Sequence, residues 1–125
     1  MTEIFLIFIG AGFGGVLRYW ISNGAYLLLG RQFPYGTLVV NVSGCFLMGL
    51  LFVLTLERLD SIGPQIRALL LIGLLGGYTT FSSFSIETIN LFENGNWAGA
   101  VMNIFFNTFI CILATWTGII GGKNL

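Results

Sequence analysis

A chain of 125 residues that is 56% hydrophobic and only 8% charged is not an ordinary soluble domain, which carries about 25% charged residues. Its formal net charge is zero, so the basic footprint of a nucleic-acid-binding protein is missing and no nucleic-acid partner is expected. It has no histidine, and its two cysteines, Cys45 and Cys111, both fall inside apolar runs, which excludes the usual metal-ligand, Ser-His-Asp and Cys-His constellations and makes the chain a non-enzymatic integral membrane protein of a single domain, residues 1–125.

The first apolar run extends from about Ile4 to Leu29 and follows directly on Met1-Thr2-Glu3. It has no basic leader and no cleavage site, and reads as a retained helix. Its glycines at 10, 12, 14 and 15 allow another backbone to come close. Arg18 lies well inside this run. A mid-span arginine costs about 2.5–3.5 kcal/mol on insertion scales, so Arg18 either faces water or a partner, or snorkels to a headgroup. Residues Arg31 to Gly36 form a short polar connection.

The second run, from about Thr37 to Leu56, is interrupted by Asn41, Ser43, Gly44 and Gly49. The Asn41 amide has two N–H donors and an acceptor. It either ties two helices together or presents an N–H to an anion. Glu57 to Pro64 is the second connection, charged and rich in turn residues. Arg58, Arg67 and Lys123 then fall on one side of the membrane and Arg31 on the other, a near-balance that orients the chain only weakly.

The third run, starting near Gln65, holds the stretch GLLGGYTTFSSFSIE at 73–87. Gly76-Gly77 weakens the helix, and the hydroxyls of Thr79, Thr80, Ser82, Ser83 and Ser85 can bond freed backbone groups. Irregular backbone at membrane depth is tolerated only where it is buried in protein or lines a watery cavity. The segment therefore reads as a broken third helix at a binding or permeation site, the alternative being a polar patch used for packing. Phe81 and Phe84 are spaced to share a helix face, and Glu87 follows one turn later. Glu93 to Asn96 makes a tight turn. In the fourth run, Trp97 to about Ile120, Asn103, Asn107, Cys111 and Thr115 recur every fourth position. That stripe faces either a neighbouring helix or a pore.

Three of these segments, GGVLRY at 14–19, GTLVVNVSG at 36–44 and GGYTTFSSFSIE at 76–87, match in order and spacing those of the Fluc (CrcB-type) fluoride channels. The chain resembles that family along its whole length. The resemblance implies an all-α fold of four transmembrane helices with a broken third helix, assembled as an antiparallel, dual-topology homodimer in the cell inner membrane or plasma membrane. It implies passive, selective fluoride export that confers fluoride resistance, through two pores. It further implies a structural sodium ion on the dimer axis, held by the backbone carbonyls of Gly76 and Thr79. Pore-lining roles are implied for Phe81, Phe84 and Asn41, and a vestibule for Arg18 and Glu87. The family's row of helix-four hydroxyls keeps only Thr115 here, since Asn107 and Cys111 depart from it.

Elementary chemistry runs alongside. Fluoride is small and strongly hydrated, so a pore must replace its water with donors. Aromatic ring edges are weakly positive, and the hydroxyls of Thr80, Ser82 and Ser83 are stronger donors. No lysine or arginine lies between Arg67 and Lys123, which suits a site from which an ion must also leave. Two other readings compete: a small proton-coupled multidrug exporter, which needs a carboxylate embedded in helix one where this chain has only Glu3, and a non-transporting membrane assembly subunit.

Overall fold

In the computed structural model, residues 1–57 and 63–125 are described, and among them every regular element is helical. Arg58 and the rest of the charged connection up to Ile62 lie outside the described residues. Four helical stretches are long and apolar enough to cross a membrane, and the protein is multi-pass. They are Thr2–Leu29 (α1), Tyr35–Glu57 (α2), Gly63–Glu93 and Trp97–Lys123. The third contains residues 63–78 (α3) and Phe81–Glu93 (α4), and the last is α5.

The helix ends follow from local chemistry. Gly30 closes α1 with φ 91°, a left-handed value that glycine adopts without strain, while its N–H donates to the Tyr26 carbonyl at 2.8 Å. The next helix begins at Tyr35 rather than near Thr37. Pro34, whose ring fixes a helix-compatible φ, stands just before it, and the Pro34 carbonyl accepts the Leu38 N–H at 3.2 Å. Between α4 and α5, Gly95 turns the chain with φ 80°, and the Asn96 side chain caps α5 by accepting the Gly99 N–H at 2.9 Å.

Glycines set the packing. Gly10 and Gly14 place α1 directly against the α3 backbone at Leu69 and Leu74, and Gly73 and Gly77 return the contact to Ile7 and Ala11. Gly12 and Gly15, expected to serve the same purpose, point into open space instead. They sit on the other side of α1, because positions one or two residues from Gly14 do not share its face. On the opposite side of the bundle, Gly49 of α2 meets the Thr115 carbonyl, while Gly118 and Gly122 of α5 meet the carbonyls of Phe46 and Leu50. Val40, Leu71, Leu75 and Tyr78 form the buried apolar centre, with Met48 and Leu51 packed onto it. Within α3, residues Arg67–Leu75 wind more widely than an α-helix, with π-type turns; such turns gather at functional sites.

The α1–α3 contact makes Gly77 a sensitive position. A Cβ there would lie 2.6 Å from the Ala11 carbonyl oxygen and 3.0 Å from the Ala11 Cα, both of them backbone atoms. Overpacking of this kind costs about 1–3 kcal/mol or more. Gly77→Leu is expected to reduce the monodisperse fraction recovered by size exclusion after detergent extraction. Recovery equal to that of the unsubstituted protein would contradict this packing.

Candidate functional site

The backbone changes character between α3 and α4. Thr79 has φ −80° and ψ 156°, and Thr80 has φ −150° and ψ 114°, so both are extended. Two β-branched residues one position after a glycine pair, with Tyr78 between, favour such a departure. Extended backbone leaves polar groups without helical partners, and side chains supply them. The Thr80 N–H donates to Asn41 Oδ1 at 2.8 Å, and Asn41 Nδ2 donates back to the Thr80 carbonyl at 3.1 Å. The Asn41 amide thus pairs with Thr80 as a neighbouring strand would. Thr80 Oγ1 in turn caps α4 by accepting the Ser83 N–H at 3.1 Å. On the other side, Gly44 has no room for a Cβ against the Thr79 methyl, and Ser43 Oγ lies 2.9 Å from the Tyr78 hydroxyl.

These bonds have a consequence for the carbonyls. In a continuous helix the Gly76 carbonyl accepts the Thr80 N–H and the Thr79 carbonyl accepts the Ser83 N–H. Here both amides are engaged by side chains, Asn41 Oδ1 and Thr80 Oγ1. Gly76 is exposed and Thr79 half-buried.

A buried polar chain continues from Asn41. Its second amide proton goes to Asn107 Oδ1 at 3.0 Å, and Asn107 Nδ2 donates to Asn103 Oδ1 at 2.9 Å. Asn103 Nδ2 donates to Thr88 Oγ1 at 2.9 Å, and Thr88 Oγ1 to the Phe84 carbonyl at 2.7 Å. Asn103 is fully buried, with 0% exposure. Both N–H groups of Asn41 are therefore committed to protein acceptors, and of its two expected uses the structure displays the tying of helices. Along the polar stripe of α5, Asn103, Asn107 and Cys111 are buried, and Asn107 and Cys111 also border a cavity. The Thr115 hydroxyl bonds back to the Cys111 carbonyl at 3.1 Å.

Three cavities follow this framework. The first, of about 340 Å³, is lined by Asn41, Thr79, Thr80, Phe81, Phe84 and Thr115 together with Cys45, Asn107 and Cys111. The Phe81 and Phe84 rings meet edge to face, with centroids 5.2 Å apart. Phe84 is 8% exposed and Phe81 77%, so one ring is seated in the chain and the other projects from it. The second cavity, about 430 Å³, has Arg18, Tyr26, Thr37, Ser83 and Glu87 in its wall and shares Thr80 with the first. The third, about 380 Å³, holds Arg31, Asn90 and Asn94 and shares Tyr26 and Glu87 with the second. Glu87 accepts hydrogen bonds from the Tyr26 hydroxyl at 2.8 Å and from Thr37 Oγ1 at 2.6 Å, so this cluster stands between the second and third cavities.

Asn41, Thr80, Phe81, Phe84, Thr79 and Thr115 are thus gathered at one cavity, and Arg18, Glu87 and Ser83 at its neighbour. Ser82 and Gly76 border neither; Ser82 is exposed, with its Oγ 3.3 Å from Thr80 Oγ1. Sequence reasoning missed Tyr26 and Thr37, the partners of Glu87, and Thr88, the partner of Asn103. All are hydroxyl-bearing residues within apolar spans, and that is the signal by which they can be found.

The family model described as CrcB-like protein, Camphor Resistance (CrcB), matches residues 5–119. A protein of Coxiella burnetii (strain Dugway 5J108-111) named Fluoride-specific ion channel FluC is 55% identical over 123 residues, covering 98% of this chain and 99% of that one. Proteins of the same name from Magnetococcus marinus and Geobacter sulfurreducens are 44% and 43% identical; they are covered over 98% and 100% of their lengths, against 97% and 100% of this chain. With a family match over nearly the whole chain and relatives aligned end to end, the chain belongs to the CrcB-like family.

Proposed function

We propose that the chain is a passive fluoride channel of the cell membrane that exports fluoride and so confers fluoride resistance, working as an antiparallel homodimer with an interrupted third span. The observation that carries this reading is the shared cavity in which Phe81, Phe84, Thr80 and Thr115 meet beside the extended pair Thr79-Thr80. It is continued toward the Arg31 end of the bundle by the cavities of Arg18 and Glu87. Close relatives carrying the name Fluoride-specific ion channel FluC support the choice of ion.

The cavities are suited to a weakly held anion. Arg18 supplies a positive centre from the middle cavity, where water screens it. Further in, the donors are neutral: ring edges, hydroxyls and the N-terminal amides of α4. A second copy is favoured because Phe81, Ser82 and Gly76 all stand exposed around the extended pair, leaving half of the aromatic pair uncovered by its own chain. The residues implied for sodium suit that ion. Gly76 and Thr79 offer hard carbonyl oxygens whose helical amide partners are taken up elsewhere. When bound between two copies, sodium would supply a fixed positive charge. A proton-coupled exporter is disfavoured, because α1 carries no carboxylate beyond Glu3 and Glu87 is already held by Tyr26 and Thr37.

The test is fluoride efflux from proteoliposomes of the purified protein, followed with a fluoride electrode, with chloride as the competing anion. Rapid fluoride release without matching chloride release is expected. Protein-free background rates, or equal loss of both anions, would overturn the reading.

A further inference from the structure

We propose that Cys45 and Cys111 together form a site for a two-coordinate soft metal cation in the wall of the first cavity, and that occupation of this site closes the ion path. The blocking part rests on the fluoride-channel reading, but the binding part does not.

The placement follows from the packing of α2 on α5. Gly49 meets the Thr115 carbonyl and Gly118 meets the Phe46 carbonyl, so the two backbones touch beyond the cysteines. Asn41 and Asn107, one turn before the cysteines, are hydrogen-bonded at 3.0 Å, and Gly49 meets the Thr115 carbonyl one turn after them, so Cys45 and Cys111 stand opposite each other across the helix interface. Neither sulfur is in a disulfide, and both line the cavity that also holds Asn41 and Phe84. Two thiols from different helices thus share one cavity wall.

The donor set decides the ligand class. Among the described residues no group of three or more His, Cys, Asp or Glu can hold a metal ion. Tetrahedral zinc, which takes four such ligands, is therefore unsuited. Two facing sulfurs with no third ligand suit linear coordination by soft cations such as Cu(I), Ag(I) or Hg(II). Binding of Hg(II) is redox-neutral: two S–H groups each lose a proton to solvent, two S–Hg bonds form, and no electrons are transferred. The bound ion would occupy the cavity beside Phe84, where a fluoride must pass.

The probe is mercury(II) nitrate in chloride-free buffer, added to the full-length protein in detergent and in liposomes. The chain contains two cysteines, so the thiol count is unambiguous. One equivalent is expected to bind per chain by mass spectrometry under native conditions and to protect both thiols from a disulfide reagent after unfolding. Metal retained after a glutathione wash should fall more than tenfold in Cys45→Ser and in Cys111→Ser. In liposomes, one equivalent should slow wild-type fluoride efflux more than tenfold and dithiothreitol should restore it. Each single variant should be inhibited far less, relative to its own metal-free rate. Two mercury ions per chain, or equal retention by the single variants, would overturn the paired site. Stoichiometric binding with unchanged efflux would overturn the block. A wild-type protein that binds one equivalent but conducts no fluoride before metal is added would instead refute the channel reading.

Discussion

Asn41→Leu is expected to lose several kcal/mol of stability, and most of the folded protein with it. The replacement keeps roughly the same volume but removes an amide that makes three hydrogen bonds, from the Thr80 N–H and to the Thr80 carbonyl and Asn107 Oδ1. All three partner groups are buried. Leaving a buried polar group unpaired costs about 1–3 kcal/mol. Together these losses approach the whole folding free energy of a typical domain, about 5–15 kcal/mol. Asn41→Asp restores only the acceptor and sets a carboxylate against two oxygen atoms, so it should be no milder. Asn107→Leu breaks the chain one link further on, where Thr80 is still paired, and should cost less. The measurement is the melting temperature of the purified protein in detergent, alongside efflux from the folded fraction. If the amide served only to donate to a passing ion, Asn41→Leu would melt like the wild type and merely conduct more slowly; that result would refute the bracing role.

This role marks the limit of what the sequence makes visible. Spans can be placed from apolar runs because the cost of exposing polar backbone to lipid is large and local. Face-sharing can be read wherever the helical repeat is regular, as with the Asn103–Thr115 stripe. The glycines of α1 show a harder case. Gly10, Gly12, Gly14 and Gly15 look alike as composition, but only Gly10 and Gly14 are four apart, and these alone meet α3. The matching spacing of Gly73 and Gly77 is the clue that selects them. The hydrogen-bond chain is of another kind. Asn41 lies 39 residues from Thr80 and 66 from Asn107, and Glu87 lies 61 from Tyr26. Sequence shows that each of these polar groups must find a partner in an apolar span. It does not show which partner, because that depends on how the helices pack in three dimensions. The motif at 76–87 therefore marks the site, while the residues that hold it in shape come from α1, α2 and α5.

The aromatic pair allows the ion path to be separated from packing. Phe81→Ile and Phe84→Ile are each expected to slow fluoride efflux more than tenfold per assembled protein. Isoleucine keeps much of the bulk but has no ring quadrupole, so the weakly positive edge is lost. The stability effects should differ between the two. Phe84 is 8% exposed, and a change of shape there should cost about 1 kcal/mol. Phe81 is 77% exposed in its own chain, so its replacement removes little intrachain packing beyond the edge-to-face contact with Phe84, a pair worth about 0.5–1.5 kcal/mol. A packing role thus predicts that Phe84→Ile is the more damaging variant and that rates in the folded fraction stay normal. An ion-contact role predicts comparable rate losses in both, despite their unequal burial. The measurement is fluoride efflux after size-exclusion selection, normalised to reconstituted protein, with melting temperatures taken on the same samples. Wild-type rates in both variants would remove the phenylalanines from the path and leave their shared cavity as a feature of packing alone.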